Sequence, residues 1–279
     1  MANKTKLVPI PSTNMVPERD FGKRPILECV GLGITFGGLK AVEDFNIAIG
    51  RTEIAGLIGP NGAGKTTVFN LLTKVYQPTH GTILLDGRDT HGMDTAHVNR
   101  AGIARTFQNI RLFPSLTVEE YVAVGMDTQM KYNMASGILR LKNYWKEEKL
   151  VHDRCLELLS LFHMEGLANV KAGSLPYGAQ RRLEIVRALA TGPSLLLLDE
   201  PAAGMNPSET AELMENIRKI RDTFHIAVLL IEHDMNLVME VCEGICVLNF
   251  GRIIAKGTPE DIQGNPAVIE AYLGKKKEA

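Results

Sequence analysis

The octapeptide GPNGAGKT, Gly59 to Thr66, has the glycine, lysine and hydroxyl spacing of a loop that binds phosphate groups. Glycines let backbone N–H groups surround phosphate oxygens, Lys65 brings a positive charge to the β and γ phosphates, and the Thr66 hydroxyl suits Mg²⁺. Thr67 is predicted to contact the α phosphate. An ordinary glycine-rich turn is the competing interpretation of this motif taken alone. The predicted phosphate-binding residues are Gly59, Pro60, Asn61, Gly62, Ala63, Gly64, Lys65, Thr66 and Thr67.

Two adjacent carboxylates, Asp199 and Glu200, end the apolar segment LLLLDE. Consecutive apolar residues predict a buried strand, whose end would present Asp199 to a phosphate-bound Mg²⁺ and Glu200 to a water molecule. Two solvated charges at the edge of a sheet are the alternative. Because the same chain contains a phosphate loop, we predict that Asp199 binds the metal and that Glu200 is the general base.

A third motif, SLPYGAQRRLEIVRALA from Ser174 to Ala190, is a proline and glycine turn followed by an amphipathic helix with two arginines in its first turns. The free N–H groups and the positive dipole end of a helix N-terminus attract anions. The segment therefore predicts an additional anion-binding position.

The surrounding sequence indicates the elements that position these motifs. EIAGLIG and GKTTVFNLLTKV predict a strand and a helix on either side of the phosphate loop, and alternating apolar segments from Ile26 to Gly50 predict antiparallel strands. A further strand pair is predicted near GTILLDG, and helices from about Thr117 to Ala190. The later segments SLLLLDE, HIAVLLIEHD and GICVLNFGRIIAKG predict strands around a helix from about Pro207 to Asp222. Strands that alternate with helices imply a mostly parallel sheet covered on both faces.

Composition restricts the classes of function. The chain has 279 residues with 31 basic and 32 acidic side chains, so its net charge of -1 provides no global field for nucleic acid or an anionic membrane. No apolar run approaches the ~20 residues that cross a bilayer. The four cysteines contain no C-x-x-C pair, which favours reduced thiols in a cytosolic protein. Cys242 and Cys246 could pair at a metal, but buried small apolar residues are the favoured interpretation.

Taken in order, the motifs resemble the nucleotide-binding subunit of ATP-binding cassette (ABC) transporters over roughly residues 26 to 260. Besides the phosphate loop and LLLLDE, the sequence contains an aromatic residue before the loop, the segment RTFQNIRLF, the turn LPYGAQ, the loop PAAGMNP and the strand end LLIEHD. The resemblance implies that Phe36 stacks on adenine, that Gln108 contacts Mg²⁺ and the attacking water, and that His233 bonds the γ phosphate. Taken singly, each has an ordinary alternative: core packing for Phe36, a polar loop residue for Gln108 and a strand cap for His233.

The resemblance also implies a head-to-tail dimer, in which Tyr177 and Gly178 face the γ phosphate held by the partner subunit. The sequence departs here from the usual L-S-G-G-Q, because Pro176 replaces the serine, Tyr177 the first glycine and Ala179 the glutamine. Proline lacks a hydroxyl and an N–H, so one expected γ-phosphate contact cannot form. Residues 203–206 read A-G-M-N where S-A-L-D is common. We hypothesise a weaker dimer that depends more on its partners.

Five segments further resemble the ATP-binding subunit of bacterial branched-chain amino acid importers: FGGLKAV, ARTFQNIRLFPSLTVEE, LPYGAQRRLEIVRAL, DEPAAGMNP and IEHDM. The resemblance implies an ATPase that uses ATP and Mg²⁺ at the cytoplasmic face of the inner membrane. Its implied partners are transmembrane permease subunits, a second ATPase subunit that is identical or homologous, and indirectly a periplasmic solute-binding protein, with no nucleic acid.

Two other classes of function compete with this interpretation. A soluble ABC-type ATPase that acts on nucleic acid or ribosomes tends to carry two cassettes or a long coiled coil, and this sequence contains one cassette and no heptads. A small-molecule P-loop kinase would leave the LPYGAQ turn and His233 unexplained.

The fold implied by the motifs and their resemblance is that of an α/β P-loop NTPase, with a mostly parallel core sheet, an antiparallel β subdomain and an inserted α-helical subdomain. The predicted parts are a loose extension at 1–24, an ABC ATPase domain at 25–260 with the helical insertion at about 109–190, and a C-terminal helix and basic tail at 261–279.

Within the helical insertion, Met126, Met130 and Met134 recur with helical spacing near the only tryptophan, Trp145. A core stripe is favoured over contact with a membrane subunit, for which Arg111 to Phe113 are better candidates.

Overall fold

The computed structural model describes residues 24–108, 110–126 and 142–273. Its strands form a four-stranded sheet, in the order β2-β1-β4-β5, and a six-stranded sheet, in the order β10-β9-β3-β8-β7-β6. The strands are β1 (Leu27–Phe36), β2 (Leu39–Ile49), β3 (Ile54–Ile58), β4 (His80–Leu85), β5 (Arg88–Asp89), β6 (Ile103–Arg105), β7 (Leu195–Asp199), β8 (Ala227–Ile231), β9 (Gly244–Asn249) and β10 (Arg252–Gly257). The helices are α1 (Lys65–Leu72), α2 (Thr95–Ala101), α3 (Val118–Met126), α4 (Lys142–Ser160), α5 (Tyr177–Ala190), α6 (Pro207–Phe224), α7 (Met235–Val241), α8 (Pro259–Gln263) and α9 (Pro266–Leu273).

The four-stranded sheet is the predicted antiparallel layer. β1 pairs antiparallel with both β2 and β4, and β4 pairs antiparallel with β5. The predicted strand pair near GTILLDG is therefore confirmed as β4 and β5.

The six-stranded sheet is mostly parallel, as predicted. β6, β7, β8, β3 and β9 are joined by parallel pairing, and only β10 runs antiparallel to its neighbour β9. Every residue of β3, β7 and β8 is buried, because a parallel sheet is covered on both faces and its strands read as continuous apolar runs.

The run of leucines in β7 shows how the two faces are filled. Successive side chains of a strand point to opposite faces. Leu195 and Leu197 accordingly pack in the core shared with the antiparallel layer, whereas Leu196 and Leu198 pack in the core shared with α3, α4 and α5. One strand thus anchors both layers, and it ends at the predicted Asp199 and Glu200.

Helices follow β6 in the order that the sequence predicts. α3 packs against α4 and α5, and α5 packs against β6 and β7. Met126 is buried in this core, as the predicted stripe requires, whereas Met130 and Met134 lie outside the described residues. Trp145 is exposed and does not join the core.

The division of the chain at residues 24 and 260 remains a prediction. In the described parts of the chain, none of the helices combines the length and apolar character that a bilayer crossing requires.

Candidate nucleotide site

The predicted site residues meet at one edge of the core sheet. β3 leads into the phosphate loop, β6 into Gln108, β7 into Glu200 and β8 into His233. Because these four strands are adjacent and parallel, their carboxyl ends lie at the same edge, which is where open α/β sheets bind ligands.

The phosphate loop has a backbone that exposes N–H groups. Gly62 and Gly64 have φ of 77° and 106°, which glycine adopts without strain. Helix α1 begins after Gly64 without a side-chain cap, so the N–H groups of its first turn are available to an anion. A Cβ at Gly59 would lie 2.0 Å from the carbonyl oxygen of Leu248, so that position accepts only glycine.

Lys65 lies folded over this loop. Its Nζ donates to the carbonyl oxygens of Gly59 at 2.6 Å and Pro60 at 3.0 Å, and the residue is buried. Burial lowers the pKa of Lys65, while the negative charges of Glu200 and Asp199 raise it. The two carboxylates thus favour the charged form of Lys65, while burial, the larger effect, opposes it.

Two of the predicted catalytic residues, Gln108 and His233, each contact the third, Glu200. Oε2 of Glu200 accepts a hydrogen bond from Nε2 of Gln108 at 2.8 Å, and Oε1 lies 2.8 Å from Nε2 of His233. Each oxygen of one carboxylate is thus held by a different strand end, which fixes the direction in which the carboxylate faces.

Asp199 is held by a basic residue that the sequence analysis did not select. Nη2 of Arg105 lies 2.7 Å from Oδ2 of Asp199, and the two side chains are only 6% and 4% exposed. Arg105 also donates to Oδ1 of Asn70 at 2.8 Å and lies over the rings of Phe69 and Phe107. This arrangement leaves the second oxygen of Asp199 for another ligand.

The donor set fits Mg²⁺, which prefers hard oxygen ligands. The Thr66 side chain is exposed at the start of α1. Gln108 donates through its amide nitrogen, so its amide oxygen faces elsewhere, and Asp199 uses one of two carboxylate oxygens for Arg105. These residues offer a hydroxyl, an amide and a carboxylate oxygen.

Phe36 lies at the end of β1, where its side chain is exposed and packs edge to face on Tyr76 with ring centroids 5.2 Å apart. The alternative that Phe36 belongs to the core of the β layer is therefore wrong. The exposed ring is available to stack on a planar ligand.

The LPYGAQ turn packs against the loop after Glu200. Pro176 precedes α5 without a side-chain cap, so the N–H groups at this helix end remain open. A Cβ at Gly178 would lie 3.0 Å from Oε1 of Glu209, and one at Gly204 would lie 3.0 Å from the Tyr177 ring.

Asn206, where the family commonly has aspartate, caps α6. Its Oδ1 accepts a hydrogen bond from the Glu209 N–H, and the Glu209 carboxylate accepts one from the Asn206 N–H, both at 3.0 Å.

The two arginines in the first turns of α5 are engaged within the chain. Arg181 is buried against main-chain carbonyls, and Arg182 pairs with Glu212 at 3.0 Å. The anion attraction predicted for this segment therefore lies with its backbone N–H groups and not with these side chains.

Glu232 is a further residue that sequence analysis missed. It is buried, its Oε1 accepts from the Ala202 N–H at 2.8 Å, and its Oε2 accepts from the His233 N–H at 3.1 Å. Burial raises the pKa of Glu232. The sequence signal for Glu232 was an acidic residue directly after the apolar strand in LLIEHD. A carboxylate buried there must have hydrogen-bond partners, so it predicts a structural contact near the site.

Comparison with known proteins agrees with these features. Residues 42–203 match the family described as ABC transporter, and residues 252–278 match the family described as branched-chain amino acid ATP-binding cassette transporter. The chain is 47% identical, over 90% of its length and 98% of the relative, to the high-affinity branched-chain amino acid transport ATP-binding protein BraF of Pseudomonas aeruginosa.

Two solved structures share the fold. The ADP conformation of an ATP-binding cassette of an ABC transporter superimposes with a TM-score of 0.78 at 28% identity, covering 91% of this chain and all of that one. A dimeric bacterial ABC transporter cassette superimposes with a TM-score of 0.71 at 25% identity, covering 84% and 98%. The sequence resemblance is thereby confirmed: the chain belongs to the ABC transporter family and has its ATPase fold.

Proposed function

We propose that this chain hydrolyses ATP to drive an importer of branched-chain amino acids. The observation that carries the proposal is the Glu200 carboxylate, held between Gln108 and His233 at 2.8 Å from each. The transport assignment is supported by the printed function of the 47% identical relative and by the family match at residues 252–278.

The phosphate groups of ATP are proposed to bind the loop from Gly59 to Thr67. Lys65 exchanges its bonds to loop carbonyls for bonds to the β and γ phosphates, and the N–H groups of α1 donate hydrogen bonds to the other phosphate oxygens. Thr66, Asp199 and Gln108 would hold Mg²⁺, which when bound neutralises phosphate charge and orients the γ phosphate. Arg105 holds Asp199 in place for that role.

Hydrolysis is proposed to begin at Glu200. Its carboxylate takes a proton from a water in line with the γ phosphate, while Gln108 orients that water. His233 donates a hydrogen bond to the γ phosphate as negative charge moves toward the leaving oxygen. Phe36 stacks on the adenine ring.

A second ATPase subunit, identical or homologous, is proposed to complete the site. The open N–H groups at Tyr177 and Gly178 would face the γ phosphate on that subunit, as a head-to-tail dimer requires. Support comes from the dimeric cassette with the same fold. Because Pro176 contributes neither hydroxyl nor N–H, we propose that this dimer is weak without its membrane partners.

Transmembrane permease subunits are proposed to dock beside Gln108, at the cytoplasmic face of the inner membrane, with a periplasmic solute-binding protein on the far side. Phe113 is exposed, and the Arg111 guanidinium lies 5.3 Å from the Phe107 ring. This segment would transmit movement between the permease and Gln108.

The central test is Glu200→Gln in the full chain. Loss of the base is expected to reduce ATP hydrolysis by ~10²–10⁴-fold while nucleotide binding persists. The matched control is Glu240→Gln, which alters a carboxylate that is 67% exposed in a surface pair with Arg218. Hydrolysis by Glu200→Gln at the wild-type rate would show that another group is the base.

Uptake of labelled leucine, isoleucine and valine by cells that carry each variant tests the cargo. We expect uptake to fail with Glu200→Gln and to continue with Glu240→Gln. Normal uptake with Glu200→Gln would separate this chain from branched-chain amino acid import.

A further inference from the structure

Arg181, in the second turn of α5, is a buried cation that the proposed chemistry does not use. It is only 1% exposed. Nη1 donates to the carbonyl oxygens of Phe107 at 2.6 Å and Gln108 at 2.9 Å, and Nη2 donates to those of Asp199 at 3.2 Å and Glu200 at 2.6 Å. One guanidinium therefore joins the main chains of two segments that carry predicted catalytic groups.

We propose that Arg181 is a positioning residue for hydrolysis, which holds Gln108 and Glu200 in register through their backbones. The inference rests on the proposed role of Glu200 as the base. It assigns to α5 a function besides the anion contact at its N-terminus.

The bonding of Arg181 is unusual for a buried charge. Among the residues that the structure describes, no carboxylate forms an ion pair with it; its bonded partners are backbone carbonyls. Taking an unpaired cation out of water is costly, and the planar guanidinium is the side chain that can bond several oxygens in fixed directions. An apolar side chain would leave these four carbonyl oxygens without their donor, so the bonds themselves account for an arginine at this position.

Backbone strain at Glu200 supports the same conclusion. Glu200 has a φ of 50°, in the left-handed region that residues with a Cβ rarely adopt. Such a conformation persists when its surroundings over-determine it. Here the Glu200 N–H donates to Ile231 at 2.9 Å and the Glu200 carbonyl accepts from Arg181 at 2.6 Å, so both ends of the residue are fixed.

The position of Arg181 in the chain gives the contact a further consequence. It lies four residues after Tyr177, one helical turn from the segment proposed to face the second subunit's nucleotide. A shift of α5 would therefore move the Gln108 and Glu200 backbones together. The geometry links closure on the second subunit to alignment of the base.

The experiment compares Arg181→Met and Arg181→Lys with Arg218→Met in the full chain. Arg218 is the matched control because its guanidinium also bonds a main-chain carbonyl, that of Glu240 at 2.9 Å, but at the surface. Single-turnover hydrolysis, affinity for a fluorescent ATP analogue and thermal unfolding are measured for each. We expect Arg181→Met to hydrolyse about 10- to 100-fold more slowly, Arg181→Lys to be intermediate, and nucleotide affinity to be unchanged.

A double variant separates positioning from simple loss of stability. If Arg181 acts through Glu200, Arg181→Met added to Glu200→Gln slows hydrolysis no further. If the reduction in hydrolysis rate of the double variant equals the product of the reductions in the two single variants, the proposal is overturned. Hydrolysis at the wild-type rate in Arg181→Met would also overturn it. If Arg181→Met does not fold, wild-type hydrolysis by a folded Arg181→Lys overturns it instead. Normal hydrolysis by Glu200→Gln would refute the proposed role of Glu200 as the base, and is thus a distinct failure.

Discussion

Replacement of Arg105 by methionine tests whether the buried partner of Asp199 is required. The side chains of this pair are 6% and 4% exposed and 2.7 Å apart. Methionine retains most of the apolar stem of arginine but lacks the guanidinium that lies over the Phe69 and Phe107 rings, so the main change is the loss of the positive charge. Asp199 is then left as a buried carboxylate without its cation.

The structure sets the expected size of this effect. Removal of one partner from a buried ion pair costs about 3–5 kcal/mol, and the lost contact with two aromatic rings adds about 1 kcal/mol. Arg218 and Glu240 form an exposed pair, with side chains 39% and 67% accessible. For Arg218→Met the loss should stay below about 1 kcal/mol.

Urea unfolding of the wild type, Arg105→Met, Asp199→Asn and the double variant measures the coupling directly. We expect Asp199→Asn to recover much of the stability that Arg105→Met loses, because replacing both members of a buried pair is far less costly than replacing one. Additive losses, or a loss in Arg105→Met no larger than in Arg218→Met, would refute the argument that Arg105 neutralises Asp199.

Two further predictions concern groups near the site. Burial raises the pKa of Glu232 above its ordinary 4.5. The contribution of this group to stability is therefore complete below that value and is lost as the pH rises through the pKa of the folded state. In urea unfolding at a series of pH values, Glu232→Gln should lose less stability than the wild type over this range, and parallel pH profiles of the two proteins would contradict this. Because Asn206 and Glu209 form a capping box, Asn206→Ala should reduce the free energy of unfolding by ~1 kcal/mol, whereas Asn206→Asp, which also caps, should not. Equal stability of these two Asn206 variants would show that the cap contributes nothing.

The phosphate loop was predictable because its chemistry is local. GPNGAGKT contains the glycines, the lysine and the helix start within one short segment, and flanking apolar patterns identify the strand and helix. The same holds for LLLLDE, where a buried strand ends in two carboxylates. The resemblance to a known family then supplied the expected roles of Phe36, Gln108 and His233.

The contacts of the proposed base are not local. Gln108 lies 92 residues from Glu200, and His233 lies 33 residues beyond it. The sequence placed each residue after a strand, but the strand order determines which ends are neighbours. β6 beside β7 and β7 beside β8 bring these three side chains together.

The sequence by itself determined which residues are predicted to carry the chemistry, because residue type, spacing and adjoining secondary structure are properties of short segments. Only the tertiary structure decided what holds those residues in place. In the sequence Arg105 is an ordinary basic residue at a strand end and Arg181 an ordinary basic residue in a helix, and no periodicity distinguishes Arg181 from the neighbouring, half-buried Arg182. Their roles depend on burial against segments distant in sequence, and burial of a charge is decided by how sheets and helices pack.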